Sequence, residues 1–396
     1  MQASPTKPEL LRLRAALHSD RYTSGGTHNF YLYPARFSPE IARAVIETFS
    51  SPGDWVLDPF MGGGTAVIEG LSLGRSMIGV DLNALAHFVA RVRTTPLSGN
   101  DETVVHQWAA RVATRGATSG ATGVVNVRLP NLPPTMKSFL AHALLESRAL
   151  GLPRQRAFAQ CVLLRLGQWA LDCRDSTSFR RLRLEAKLLE LTEEMLHGMR
   201  DFVGQCRSAG LAKNEIVGSR LLICNDAAEI HENSWVKTCK ARARLVFTSP
   251  PYPGVHVLYH RWQVRGRRET PAPYWVAEVS DGYYASHYTG GSRTPTGERR
   301  YFAMIRSAFS SIRHVLAQDA LVVQLVGFAD VKRQLPGYLT AMDEAGFDII
   351  RHPLGQRQQL WRSVPNRKWY AKLQGAVDAS SELLLFHRPR RERRRS

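Results

Sequence analysis

The chain has 396 residues, 44% of them hydrophobic and 22% charged, and carries a formal net charge of +19 at pH 7. No apolar run reaches the roughly 18 residues of a membrane span, and residues 1–8 contain no apolar core that could serve as a secretion signal, so a cytoplasmic location is expected. A length of this order suits a large α/β core with an insertion, or two domains.

The charge points to a polyanionic partner, and nucleic acid is the first candidate. The run Arg388 to Arg395 inflates the figure, but the protein stays basic without it, and residues 389–396 are expected to form a disordered basic tail. The cysteines, Cys161, Cys173, Cys206, Cys224 and Cys239, lack CxxC spacing, so no metal site is expected and the thiols should be reduced. None follows a proline in a plausible catalytic loop, which argues against thiolate attack on a pyrimidine ring.

In chain order, a short helix (Glu9 to His18) precedes a loose Ser-Gly-Gly-Thr connection, and Ser38-Pro39-Glu40 then caps a helix running through Phe49. Pro52-Gly53 introduces the apolar run Asp54-Trp55-Val56-Leu57, which reads as a buried strand. Behind it, Asp58-Pro59-Phe60-Met61-Gly62-Gly63-Gly64-Thr65 opens a helix. A strand, a glycine-rich turn and a helix put free backbone N–H groups at the carboxyl edge of a parallel sheet, where nucleotide-like ligands dock.

The next apolar run, Met77 to Val80, ends in Asp81, about 20 residues beyond the loop, where a carboxylate can accept ribose hydroxyls. The loop is not GxGxxG, has no Walker lysine, and begins with an aspartate that would repel a pyrophosphate. An amine and a sulfonium suit it better, which favours S-adenosylmethionine over NAD or ATP. A helix from Asn83 to Arg93 follows, with Leu85, Phe88, Val89 and Val92 inward.

From residue 98 to 218 the βα alternation stops. Ala113 to Gly123 reads as a flexible loop and Leu129 to Pro134 as a break before a helical block. Its clearest member runs from Phe179 to Cys206, with Leu184, Leu188, Leu191, Met195, Met199, Phe202 and Cys206 on one face. Arg180, Arg181, Arg183, Lys187 and Arg200 decorate it, as the solvated face of a lid or as a DNA contact.

The sheet resumes at Ser219 to Asn225. Asp226, at its end, could accept from an adenine amino group or merely form a turn. Ala243 to Phe247 is the next strand and delivers Thr248-Ser249-Pro250-Pro251-Tyr252. Residues 254–297 interleave aromatics with Arg and His, a pattern suited to base stacking and phosphate contact, though also to an ordinary aromatic core. A helix (Arg299 to Leu316), a strand (Ala320 to Val326), a helix (Gln334 to Ala345) and the strands at Phe347 to Ile350 and Glu382 to Phe386 complete the chain. The count is seven strands, the last pair an antiparallel hairpin.

Three stretches carry a family resemblance. Asp58 to Thr65 resembles the cofactor loop of DNA methyltransferases that modify exocyclic amino groups. His28-Asn-Phe-Tyr-Leu-Tyr-Pro-Ala-Arg-Phe-Ser-Pro-Glu-Ile41 resembles their N-terminal cofactor motif, and Thr248 to Tyr252 resembles their catalytic motif in its N4-cytosine form. The resemblance implies a Rossmann-like, seven-stranded α/β sheet with a helical insertion: residues 1–97 as the cofactor half, 98–218 as the insertion and 219–388 as the catalytic half.

It further implies that S-adenosylmethionine is held by Tyr33, Pro34, Phe37, Asp58, Pro59, Phe60, Gly62, Gly64, Thr65, Asp81, Asn83 and Asp226. Catalysis would fall to Ser249, Pro250, Pro251 and Tyr252. Double-stranded DNA would meet Tyr259, His260, Arg261, Trp262, Arg265, Arg267 and Arg268, and a restriction or defence partner is compatible with the family.

The chemistry of the motif is physical. An exocyclic amine is a poor nucleophile because its lone pair is delocalised into the ring. Two acceptors, the Pro250 carbonyl and the Ser249 hydroxyl, would turn the nitrogen toward tetrahedral geometry while Tyr252 stacks on the base. Positioning and electrostatics then supply the rate. The base must first leave the duplex, at a few kcal/mol. The Ser form favours cytosine N4. Adenine N6 is the nearest alternative, with RNA amine methylation and a non-catalytic DNA-binding protein behind it.

Overall fold

A computed structural model describes residues 5–19, 25–32, 37–115, 128–172, 180–238, 242–253, 261–265, 268–281, 294–351, 353, 359–363 and 381–390. Thr6 caps α1 (Lys7–Leu17) through a reciprocal bond with Glu9, and Ser38 caps α2 (Pro39–Phe49). The βα units follow as β1 (Trp55–Asp58), α3 (Thr65–Ser72), β2 (Ser76–Asp81) and α4 (Ala84–Arg93). Four helices interrupt them: α5 (Gly99–Arg115), α6 (Pro134–Arg148), α7 (Pro153–Leu171) and α8 (Arg181–Ser208). The seven apolar positions expected to face inward on α8 are all buried.

The sheet continues with β3 (Arg220–Cys224), α9 (Ser234–Thr238) and β4 (Ala243–Thr248). A small hairpin of β5 (Trp262–Val264) and β6 (Arg268–Thr270) leads into α10 (Ala272–Ala277) and α11 (Pro295–Arg313). The chain ends through β7 (Leu316–Val326), α12 (Val331–Glu344), β8 (Phe347–Ile349), β9 (Gln359–Ser363) and β10 (Ser381–Pro389).

The main sheet has the order β3-β2-β1-β4-β7-β10-β8, with β9 also paired to β10. From β3 to β7 all pairings are parallel, and β10 is antiparallel to each of its neighbours. This is a Rossmann-like arrangement, with eight strands among the described residues where seven were expected. The additional one is β9, a short polar segment (Gln359-Leu-Trp-Arg-Ser363) without the apolar run that marks a strand in sequence. The expected terminal hairpin is also more than a hairpin, because β10 lies between β7 and the β8/β9 edge.

Side chains alternate between two cores, as the two-residue period of a strand requires. Val56, Leu245, Phe247, Val323 and Phe386 point to the face covered by α1 to α8. Leu57, Val246, Val322 and Leu385 point to the face covered by α11 and α12. The whole helical insertion therefore packs on one side and leaves the carboxyl edge of the parallel strands as the common meeting place of loops.

The basic tail begins later than expected. Pro389 closes the β10–β8 ladder, and Arg390 pairs with Asp343 and, at 2.8 Å, with Asp348. Residues 391–396 lie outside the described residues. Among the described residues no helix is long and apolar enough to cross a membrane.

Candidate active site at the carboxyl edge of the sheet

The loop after β1 is shaped by glycines in the left-handed region, Gly62 at φ 49° and Gly64 at φ 81°. A Cβ on Gly64 would lie 2.9 Å from the Ala90 Cβ, so α3 can start against α4 only without a side chain there. The loop is pinned to the neighbouring strand: Met61 N donates to the Val80 carbonyl at 2.9 Å and Gly62 N to Asp81 Oδ2 at 2.9 Å. Asp81 Oδ1 accepts from Asn83 N at 2.8 Å. Burial pushes the Asp81 carboxyl up to about 6, against the opposing pull of those two backbone donors.

Asp58 is fully buried. Its Oδ1 accepts from the Thr248 hydroxyl at 2.7 Å and from Phe60 N at 3.2 Å, while Oδ2 meets no donor among the described residues. Burial pushes this carboxyl up to about 7. Pro59, Thr65 and Gly64 are buried beside it, and Phe60 and Gly62 are half-buried at the rim.

The N-terminal segment reaches the same edge through contacts the sequence did not announce. Arg93, fully buried on α4, donates to the carbonyls of Gly63, Tyr31 and, at 3.0 Å, His28. One guanidinium thus ties the glycine loop to the segment expected to flank the cofactor. His28 Nε2 lies 2.7 Å from Glu69 on α3, whose other oxygen accepts from Arg43 at 2.8 Å. Gln168 of α7 holds Leu32 at both its N–H and its carbonyl, each at 2.8 Å. Phe37 packs its ring 4.8 Å from Phe247 of β4, while Tyr33 and Pro34 lie outside the described residues.

β4 delivers Thr248 to Tyr252 to this edge, next to β1. Ser249 is half-buried, and its hydroxyl donates to the Tyr252 oxygen at 3.3 Å. Tyr252 in turn donates to Glu382 Oε1 at 2.6 Å. Its ring rests on Gly327, just past the end of β7, where a Cβ would come within 2.7 Å of a ring carbon. Pro250 is buried and Pro251 half-buried, which suits a rigid turn.

Several expected site residues take other parts. Asn83 Oδ1 caps α4 at Leu85 N and Ala86 N, and its amide donates to the Tyr274 hydroxyl at 2.7 Å. Asp226 forms the turn alternative, its Oδ1 accepting from Ala228 N at 2.9 Å, although it still stands beside Asp81, whose carbonyl accepts from Asn225 N. Trp262 is fully buried, its ring filling the space over Gly167 of α7, so it cannot stack on DNA. Arg261 is held by Asp281 at 2.7 Å. Arg265 and Arg268 are exposed at the hairpin, and Tyr259, His260 and Arg267 lie outside the described residues.

The site as built is acidic, with Asp58 fully buried and Asp81 beside the glycine loop. A buried carboxylate oxygen without a donor, Asp58 Oδ2, suits the amine of a cationic amino-acid ligand better than a phosphate. The residues present therefore fit S-adenosylmethionine, with Asp58 Oδ2 facing its positive charge.

Residues 12–90 match a family model described as DNA methylase, N6_N4_Mtase. Through this stretch the chain is similar to the amino-group DNA methyltransferases. The matched stretch holds the glycine loop, Asp81 and the N-terminal segment, and ends well before Thr248. Among curated relatives, the type II methyltransferase M.MvaI of Kocuria varians is 36% identical over 74 residues, 18% of this chain and 16% of that protein. M.BsoBI of Geobacillus stearothermophilus is 41% identical over 61 residues, 15% of this chain and 12% of that protein. The chain thus spans less than a fifth of either relative. TrmN from Thermus thermophilus is a similar solved structure at 11% identity and a TM-score of 0.33, covering 92% of this chain and 52% of that one.

Proposed function

We propose that this protein transfers the methyl group of S-adenosylmethionine to an exocyclic amine of a base flipped from double-stranded DNA, with cytosine N4 as the target. The observation that carries the reading is the 2.7 Å bond between Thr248 and Asp58. It sets the turn bearing Ser249 and Tyr252 directly beside the loop suited to a sulfonium cofactor, as an in-line transfer between the two requires. Ser249, where a carboxylate would favour adenine N6, is the reason for cytosine. Asp58, Asp81 and the Gly62–Thr65 turn would hold the cofactor, and Ser249, Pro250 and Tyr252 the amine.

The DNA would also run along the helical insertion. Arg183 and Lys187 of α8 both reach over the ring of Trp169 on α7, at 5.5 Å each. Trp169 adjoins Gln168, which holds Leu32 of the cofactor-side segment, so this basic and aromatic patch adjoins the reaction edge. Nucleoside mass spectrometry of duplex DNA incubated with protein and cofactor tests the reading. N4-methylcytosine is expected, N6-methyladenine would move the target to the alternative base, and an unmodified digest would defeat it.

A further inference from the structure

Ser249, Tyr252 and Glu382 form a line of hydrogen bonds in which every donor points the same way. The Ser249 hydroxyl donates to the Tyr252 oxygen at 3.3 Å, and the Tyr252 hydroxyl donates to Glu382 Oε1 at 2.6 Å. The first contact is long for an O–H···O bond, as such contacts often are before substrate binds. Glu382 is buried at the start of β10, and Arg362 stands opposite it in the β9–β10 register with its Nε 3.4 Å from the other carboxylate oxygen. Such a buried carboxylate–guanidinium pair needs a strong local reason to persist.

Methylation of a neutral amine releases one proton. We infer that this line carries that proton away from the base, with Glu382 as its acceptor, an inference that rests on the methyltransferase reading above. As the N–C bond forms and the sulfonium S–C bond breaks, the nitrogen becomes cationic. It gives one proton to Ser249 Oγ, Ser249 gives its own to the Tyr252 oxygen, and Tyr252 gives its own to Glu382 Oε1. The balance is a secondary amine, a neutral thioether and a protonated Glu382, which returns its proton to solvent when product leaves. The donor directions are the ones this transfer requires, because Ser249 presents its free lone pairs to the substrate side and its hydrogen to Tyr252.

Glu382 does not reach the base and is a positioning and proton-accepting residue acting through Tyr252. The test is single-turnover methyl transfer to duplex DNA over pH 5–9, for wild type, Glu382→Gln, Glu382→Asp and Tyr252→Phe. The amide of Glu382→Gln still accepts from Tyr252 and keeps the ring in place, yet cannot take the proton. With cofactor saturating at every pH, its rate should fall by about 100-fold, within the usual range for a lost general base, and the acid limb of the wild-type profile should vanish. Glu382→Asp should recover part of the rate with that limb, and Tyr252→Phe should lose as much as Glu382→Gln, without further loss when the two are combined. A Glu382→Gln protein with the wild-type rate and profile overturns the relay and leaves Glu382 as a brace. Should Glu382→Gln misfold by circular dichroism, Tyr252→Phe decides alone: an unchanged rate and profile overturn the relay. Wild type that transfers no methyl group to DNA defeats the functional reading and the relay with it. Active wild type matched by Glu382→Gln defeats only the relay.

Discussion

Thr248 Oγ1 donates to Asp58 Oδ1 across 2.7 Å, joining the ends of two neighbouring parallel strands that lie 190 residues apart in the chain. This bond takes up one oxygen of a fully buried carboxylate and leaves the other without a donor among the described residues. On the proposed reading, the protonation of Asp58 should link folding to cofactor capture.

Burial raises Asp58 to about 7, above the ordinary 3.8. The folded protein therefore keeps a proton that the unfolded chain releases, and the associated stability is complete below pH ~4 and lost as pH rises through ~7. A cationic cofactor favours the ionised form, so its affinity should rise with pH through ~7 and level off above. Asp58→Asn keeps the acceptor for Thr248 without the charge. At pH 8 it should melt at or above the wild-type temperature while its affinity for S-adenosylmethionine becomes weak and independent of pH, as calorimetry and thermal melts at pH 6 and pH 8 would show.

Gly327 supports the Tyr252 ring from below. Its φ is not positive, so alanine carries no backbone penalty, but the new Cβ would meet the ring at 2.7 Å. Gly327→Ala should displace the ring and lower kcat by 10-fold or more, on the scale of a sub-ångström to ångström misplacement. Cofactor affinity should stay within about twofold, because the glycine loop after β1 is untouched.

Arg93 serves three buried carbonyls from two separate segments. Arg93→Ala should destabilise the fold by about 3 kcal/mol or more, since acceptors that stay buried lose their donors. Arg93→Lys, with no planar fork, should recover only part of that. Urea unfolding measures the first effect. A cofactor titration of Arg93→Lys should show reduced affinity, because the glycine loop loses its tie to the N-terminal segment.

Arg183 and Lys187 both reach over the Trp169 ring, at 5.5 Å each. Arg183→Ala with Lys187→Ala should weaken DNA binding about equally for all sequences and reduce the salt slope of log affinity by about 1 to 2. Cofactor binding should be unchanged. An unaltered salt slope would move the DNA path away from the insertion.

Much of the fold was legible because its signals are local. A short apolar run ending in Asp58 and glycines, and another ending in Asp81, mark strand ends by composition alone, and α8 shows its buried stripe at spacings of three and four. Arg93 was missed although a signal existed. It follows Val89 by four residues and so lies on the inward stripe of α4, where arginine is out of place unless it serves buried carbonyls. Glu382 gave no such signal, because its partner Tyr252 is 130 residues away. Aromatic content between 254 and 297 suggested a surface for bases, yet Trp262 and Tyr274 are core. Composition reports which rings are present and not which way they face. Asn83, expected at the cofactor, also caps α4, a role that asparagine takes readily.

The antiparallel course of β10 sets the order in which the protein can become active during synthesis. Because that strand runs against the others, its first residues arrive at the edge where the parallel strands finish, and they supply the acceptor for Tyr252. A nascent chain that has emerged only through β7 already contains the glycine bend and the Ser-Pro-Pro-Tyr turn, but its tyrosine has no carboxylate to donate to and the β7 edge is unpaired. The bond from Tyr252 should therefore form only once the segment around residue 382 has been released and β10 has slotted home, so that the reaction turn is completed last.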